Sequence, residues 1–208
     1  MIYLYSGTPG SGKSLHMAQD IFFKLRRKHS VIANFMIDEE VVKQRLFGKK
    51  DIGQFTFMDN EELSVSKLVE YARKNHVMGK ESQTLLCIDE CHVLFNPREF
   101  QRKDRLNWIQ FFTQHRKLGF NIILVTQNDR LLDRQIRGLI EYEIKHRKVN
   151  NFKIGKLLPI KTFIAIENWY GVREKIGSSF FVYQKRLGKL YDSYKMFDDS
   201  LMDKPFIS

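Results

Sequence analysis

Near the start of the chain, Gly7-Thr-Pro-Gly-Ser-Gly-Lys13-Ser14 fits the spacing G-x-x-x-x-G-K-[ST]. Each residue type has a chemical reason to be there. Glycines let a loop adopt positive φ and bring backbone N–H groups against an anion. A helix beginning near Lys13 would aim its partial positive end at the same anion. Lys13 is placed to reach the β- and γ-phosphates of a nucleotide, and Ser14 to put its hydroxyl on Mg²⁺. The expected contact set is Gly7, Thr8, Pro9, Gly10, Ser11, Gly12, Lys13, Ser14 and Leu15. A Gly-rich turn capped by a serine would give the same string. The flanking pattern favours the phosphate cradle, because an apolar run precedes it and a helical period follows.

A second constellation is Thr84-Leu-Leu-Cys-Ile-Asp89-Glu90, an apolar strand ending in two acids. Such a strand would hold Asp89 at the sheet edge beside the cradle, as a Mg²⁺ anchor, with Glu90 polarising the attacking water. Helix-capping charge is the plain alternative. Asn121-Ile-Ile-Leu-Val-Thr-Gln127 is a third strand, whose terminal amide could sense the γ-phosphate or orient water. Gln127 could equally be an ordinary loop amide. Arg137 and Arg116 are candidates for an arginine supplied to a neighbouring subunit's site, where transition-state charge develops. Both could be plain surface residues. Cys91 and His92 adjoin the acidic pair and receive no catalytic role.

These groups need elements to position them. Strands are expected at 1–5, 31–35, 55–57, 84–89, 121–126, 142–148, 162–168 and 179–184. Helices are expected at 13–28, around 39–47, from Asp59/Asn60 to about 78, and over 104–118 with Leu106, Ile109, Phe112 and Trp108 inward. Asp129 is expected to cap a short helix from 130 to about 139. Alternating strands and helices imply an α/β fold with a mostly parallel central sheet flanked by helices. The expected division is a nucleotide-binding core over 1–149 and a β-rich C-terminal extension and tail over 150–208. In that extension Trp169-Tyr-Gly is an aromatic turn, whose rings would fill a small sheet's core or stack on bases.

The 208 residues include 35 Lys/Arg and 24 Asp/Glu, a net charge of +11. Residues 1–96 carry 13 and 12 of these, 97–161 carry 15 and 6, and 162–208 carry 7 and 6. The excess therefore sits in one stretch, which also holds Gln127 and both arginines. Part of it would serve a subunit interface facing ATP. The remainder, Lys145, Arg147, Lys148, Lys153, Lys156 and Lys161, is a patch over 145–161 for single-stranded DNA or anionic lipid. The two cysteines, Cys87 and Cys91, exclude a disulfide framework and point to a reducing, cytoplasmic compartment. No apolar run reaches the roughly 20 residues of a membrane span, and the N-terminus lacks the basic region of a signal peptide.

The phosphate loop at the N-terminus, Val31-Ile-Ala-Asn34, Ile88-Asp-Glu-Cys-His92, His115-Arg-Lys-Leu-Gly-Phe-Asn-Ile-Ile-Leu-Val-Thr-Gln-Asn128, Arg137 and the strand Tyr-Glu-Ile-Lys-His-Arg147 occur in an order that is informative as a set. The chain resembles, over roughly 1–190, the N-terminal P-loop ATPase domain of the Zot (zonular occludens toxin) family, which includes the gene I assembly proteins of filamentous phages. The resemblance implies a P-loop NTPase of the RecA/ASCE class that takes ATP and Mg²⁺. It implies a homo-oligomeric, ring-forming motor that drives virion assembly and export at the inner face of the host inner membrane, with membrane or coat proteins as partners. Family members usually continue into a transmembrane helix and a periplasmic part; this sequence shows neither by Ser208. That is expected of a domain of a longer protein, or of a soluble relative that recruits its membrane partner separately. The toxin activity of the family's name is not carried over. Two other readings stay open: a DNA translocase of the packaging type, and a nucleotide-gated docking module without turnover.

Overall fold

The computed structural model describes residues 1–44, 48–99, 104–149, 160–172 and 174–191. Its frame is an eight-stranded sheet in the order β3-β2-β4-β5-β1-β6-β7-β8. The strands are β1 (Ile2–Ser6), β2 (Ser30–Ala33), β3 (Phe55–Phe57), β4 (Thr84–Ile88), β5 (Phe120–Val125), β6 (Tyr142–Lys148), β7 (Thr162–Trp169) and β8 (Glu174–Val182). The first six pair with one another in parallel, and β7 and β8 are added antiparallel beyond β6. The helices are α1 (Lys13–Arg26), α2 (Glu39–Lys43), α3 (Val65–Asn75), α4 (Arg105–Gln114), α5 (Arg134–Arg137) and α6 (Lys185–Leu190).

The central parallel strands are covered on both faces, which explains their continuous apolar runs. All five residues of β4 are buried. Successive side chains alternate faces. Leu86 and Ile88 join Leu68, Trp108, Phe111 and Phe112 in one core, against α3 and α4. Leu85 and Cys87 join Met17, Ile21 and Leu25 in the other, against α1 and α6. β1 lies between β5 and β6, and β4 lies beside β5. The loops leaving β1 and β4 therefore emerge at the same C-terminal edge of the sheet, where ligands of open α/β sheets bind.

The α4 stripe differs from the sequence expectation. Trp108, Phe111 and Phe112 are buried, whereas Leu106 is 71% exposed. Leu106 lies two residues, about 200° of helical rotation, from Trp108, so it cannot share the face that the three aromatics define. α3 begins later than expected. Asp59 accepts the N–H groups of Glu61 and Glu62 in a separate turn, and the helix starts only after Ser64, which accepts the Lys67 N–H. The segment after β5 is split. Asn128 caps a 3₁₀ turn at Asp129–Leu131, and Asp133, accepting the N–H groups of Gln135 and Ile136, caps α5. β8 begins at Glu174, five residues before the expected 179, and as an edge strand exposed along most of its length it carries no alternation that would mark that start. In the aromatic turn Trp169 is half exposed, while the Tyr170 hydroxyl donates to Asp129 at 2.8 Å.

Candidate nucleotide site

The loop between β1 and α1 has the backbone that its glycines permit. Gly7, Gly10 and Gly12 take φ of +143°, +71° and +98°. At Gly12 a Cβ would also fall 2.7 Å from the Phe163 ring, so β7 closes one side of the loop. Gly12 caps α1 without a side-chain hydrogen bond, and the first turn holds no acid. The helix N-terminus therefore offers its N–H groups and positive dipole end to an external anion. Ser11 Oγ is buried with no hydrogen-bond partner among the described residues. Lys13 is buried, and its ammonium donates to the carbonyls of Gly7 (2.8 Å) and Thr8 (3.3 Å), folded across the space the loop encloses. Burial lowers its pKa, and the charges of Glu90 and Asp89 act against that shift.

Asp89 follows β4 directly and is 5% exposed. Asn34, just past the end of β2, extends the β2–β4 pairing through its side chain. Its Oδ1 accepts the Asp89 N–H at 2.7 Å, and its Nδ2 donates to the Asp89 carbonyl at 2.9 Å. The same amide nitrogen donates to Asn60 Oδ1. The Asp89 carboxylate accepts the Glu90 N–H on Oδ1 at 2.9 Å and the Tyr191 hydroxyl on Oδ2 at 2.7 Å. Burial raises its pKa, against the opposing pull of these hydrogen bonds and of the Lys13 charge. Glu90 sits in the left-handed region at φ 45°, ψ 44°. A non-glycine residue there costs of order 1–3 kcal/mol and holds only where the surroundings impose it. Its carboxylate comes within 3.2 Å of His92 Nδ1, without the alignment of a hydrogen bond.

Gln127 is exposed, two residues beyond the end of β5 at the same sheet edge, where Thr126 N–H donates to the Tyr5 carbonyl. Arg137 ends α5, half-buried, with its charge felt by Tyr170. Arg116 lies at the opposite edge, paired with Glu141 beside the start of β1. It therefore cannot act on this chain's own cradle. Cys87 and Cys91 are free and buried. Lys145 is half exposed and pairs with Glu143 at 3.2 Å, and Arg147 is exposed. Lys153 and Lys156 of the basic patch lie outside the described residues.

A cleft of about 420 Å³ runs from Gly10–Leu15 to Phe163, Tyr183, Leu187 and Tyr191. A larger groove of about 650 Å³ lies between Ser64 and Asn107 and holds none of the groups above, whereas the smaller cleft is lined by the phosphate loop and by Tyr191, which hydrogen-bonds Asp89. The donor chemistry nearby is compatible with Mg²⁺: Ser14 lines the cleft and Asp89 is hydrogen-bonded to its Tyr191, both offer hard oxygen atoms, and a nucleotide-borne Mg²⁺ needs only one or two from the protein. Among the described residues no cluster of three or more acidic, His or Cys side chains offers a separate metal cage. Asn34 and Tyr191 had no sequence signal as site residues; both reach Asp89 from far along the chain.

Known proteins share this architecture. The chain is 28% identical over 159 residues to the Gene 1 protein of Enterobacteria phage fd, covering 74% of this chain and 44% of that protein. It is 26% identical over 219 residues to the Gene 1 protein of Escherichia phage If1, covering 99% and 62%. The chain thus spans about half the length of these relatives. Among solved structures it matches the N-terminal domain of zonular occludens toxin from Neisseria meningitidis, with TM-score 0.55, 23% identity and coverage of 92% and 98%. It also matches the genome packaging NTPase B204 of Sulfolobus turreted icosahedral virus 2, solved with ATP-gammaS, with TM-score 0.51, 15% identity and coverage of 88% and 96%. These likenesses place the fold among P-loop ATPase domains. The family model for zonular occludens toxin (Zot) matches residues 1–196, and the chain belongs to that family.

Proposed function

We propose that this chain binds and hydrolyses ATP with Mg²⁺ and is the motor of a phage assembly and export machine. The observation that carries the reading is the convergence at one sheet edge of an uncapped helix N-terminus, a buried Lys13 and the buried Asp89 beside Glu90. Lys13 exchanges its two loop carbonyls for phosphate oxygens. Ser14 and Asp89 would hold Mg²⁺, which supplies charge neutralisation on the β- and γ-phosphates. Glu90 orients the attacking water and takes its proton, and Asn34 fixes the backbone from which both acids project. Gln127 responds to the γ-phosphate. Arg137 or Arg116 reaches a neighbour's site in a ring of copies. The work is done at the inner face of the host inner membrane; no described helix is long and apolar enough to cross a membrane. The fd and If1 relatives, both phage proteins, support the setting.

The test is phosphate release from ATP across a protein concentration series, with mass in solution read alongside. Turnover per chain is expected to rise as the chain assembles and to vanish in Lys13→Ala. Nucleotide binding without turnover in any assembled state would refute the motor and leave a docking module. Turnover appearing only with single-stranded DNA, with steeply salt-dependent binding, would turn the reading to a DNA translocase.

A further inference from the structure

The nucleotide cleft has a second wall that the phosphate-binding motifs do not explain. Beyond β8 the chain turns back over α1. Tyr183 N–H donates to the Lys161 carbonyl, and α6 then crosses α1 and α2. The Arg186 guanidinium donates to the carbonyls of Val41 and Gln44 and stacks 4.9 Å over the Phe22 ring. Asp38 N–H donates to the Leu190 carbonyl at 3.0 Å. Tyr191 packs its ring 4.4 Å from Phe35 and donates to Asp89. The strap is thus fastened along its length, and its last fastening is the candidate metal anchor itself.

What the strap turns toward the cleft is flat and apolar. Leu187 lines the side beside Leu15 and Ala18 of α1. Tyr183 lines it too, and 45% of that residue stays exposed, whereas Tyr191 and Leu187 are buried. Gly188 lets the Tyr183 ring lie close, since a Cβ there would come 2.5 Å from the phenol oxygen. The Lys161 ammonium, at the end of a flexible side chain, lies over the same ring 5.7 Å from its centre, and a stacking base would displace it. A half-exposed aromatic ring, apolar neighbours and direct continuity with a phosphate cradle are the features that receive a nucleobase attached to those phosphates.

We propose that the strap Tyr183–Tyr191 is the base-binding wall of the nucleotide site, with Tyr183 stacking on the base. The proposal rests on the ATP reading of the cradle, and its test separates the two. Affinities for ATP and for inorganic tripolyphosphate, which has the phosphates and no base, are measured by calorimetry with Mg²⁺. The proteins are wild type, Tyr183→Ala, Tyr183→Phe and Lys13→Ala. Tyr183→Ala is expected to bind ATP about tenfold more weakly and tripolyphosphate as wild type does, and Tyr183→Phe to recover ATP affinity. Equal weakening for both ligands, or unchanged ATP affinity, overturns the wall while Lys13→Ala still reports on the cradle. Wild type binding neither ligand, or Lys13→Ala binding both as wild type, overturns the cradle and the wall with it.

Discussion

Behind the phosphate loop, a pair of histidines makes the fold's stability depend on pH in a way the geometry specifies. His16 of α1 and His146 of β6 face each other, Nδ1 to Nε2, at 2.8 Å. His146 Nδ1 lies 3.3 Å from the Ser6 carbonyl, which can only accept, so the network assigns a proton to that nitrogen. Nε2 must then accept from His16 Nδ1. A second proton on His146 would set two N–H groups head to head inside the core. Burial, the His16 charge and, least of all, the Lys13 charge push the His146 pKa down to about 3; hydrogen bonds to Ser6 and Ile144 oppose them. In the unfolded chain the imidazole titrates near 6.5. Between those values the unfolded state binds a proton that the folded state refuses, so stability falls on acidification through this window. From neutral pH down to about 5, His146 alone costs about 2 kcal/mol. The measurement is urea unfolding at a series of pH values for wild type and His146→Gln, which keeps a hydrogen-bonding group and does not titrate. His16, whose pKa burial also lowers, acts in both proteins. Asp20, whose pKa burial raises, acts in both with the opposite sign, so the difference reports His146 together with its contact to His16. The variant is expected to be weaker at neutral pH but to lose about 2 kcal/mol less on going to pH 5. Parallel pH profiles for the two proteins would mean that His146 takes up its proton alike in the folded and unfolded chain.

Further outcomes follow from the same geometry. Asn34→Ala orphans the buried N–H and C=O of Asp89 at about 1–3 kcal/mol each, so its urea midpoint should fall and turnover with it; an unchanged midpoint would remove Asn34 as the support of Asp89. Gly12→Ala meets both a φ of +98° and the Phe163 ring at 2.7 Å, and calorimetry should show nucleotide affinity lost. Chelating Mg²⁺ should end phosphate release, and Asp89→Asn should raise the Mg²⁺ concentration needed for half-maximal turnover. Arg116→Ala breaks a half-exposed pair with Glu141 and should shift stability by less than about 1 kcal/mol, with any loss of turnover appearing only in the assembled state.

The cradle was legible because its chemistry is local. Eight consecutive residues specify loop, helix start and charge together, and Asp89 follows from the apolar run before it. The roles of Asn34 and Tyr191 were not: Val31-Ile-Ala-Asn34 stands out only as a segment of the resemblance, and the two side chains reach Asp89 across 55 and 102 positions. Parallel strands buried on both faces announced themselves as apolar runs; β8, exposed along most of its length, did not. Leu106 shows the same limit in a helix. Its type suits the core, but the aromatic stripe from Trp108 to Phe112 decides which face turns inward. Residue type and chain position alone mark Arg116 and Arg137, and only the fold shows that Arg116 pairs with Glu141 at the sheet edge opposite the cradle.

In the proposed mechanism Glu90 performs the chemistry on a nucleotide that other residues hold. The most direct measurement compares ATP affinity and phosphate release in wild type and Glu90→Gln under the same assembly conditions. Affinity should be retained while turnover falls by about 10²–10⁴, the range expected for a lost general base. Turnover in Glu90→Gln equal to wild type would contradict the account.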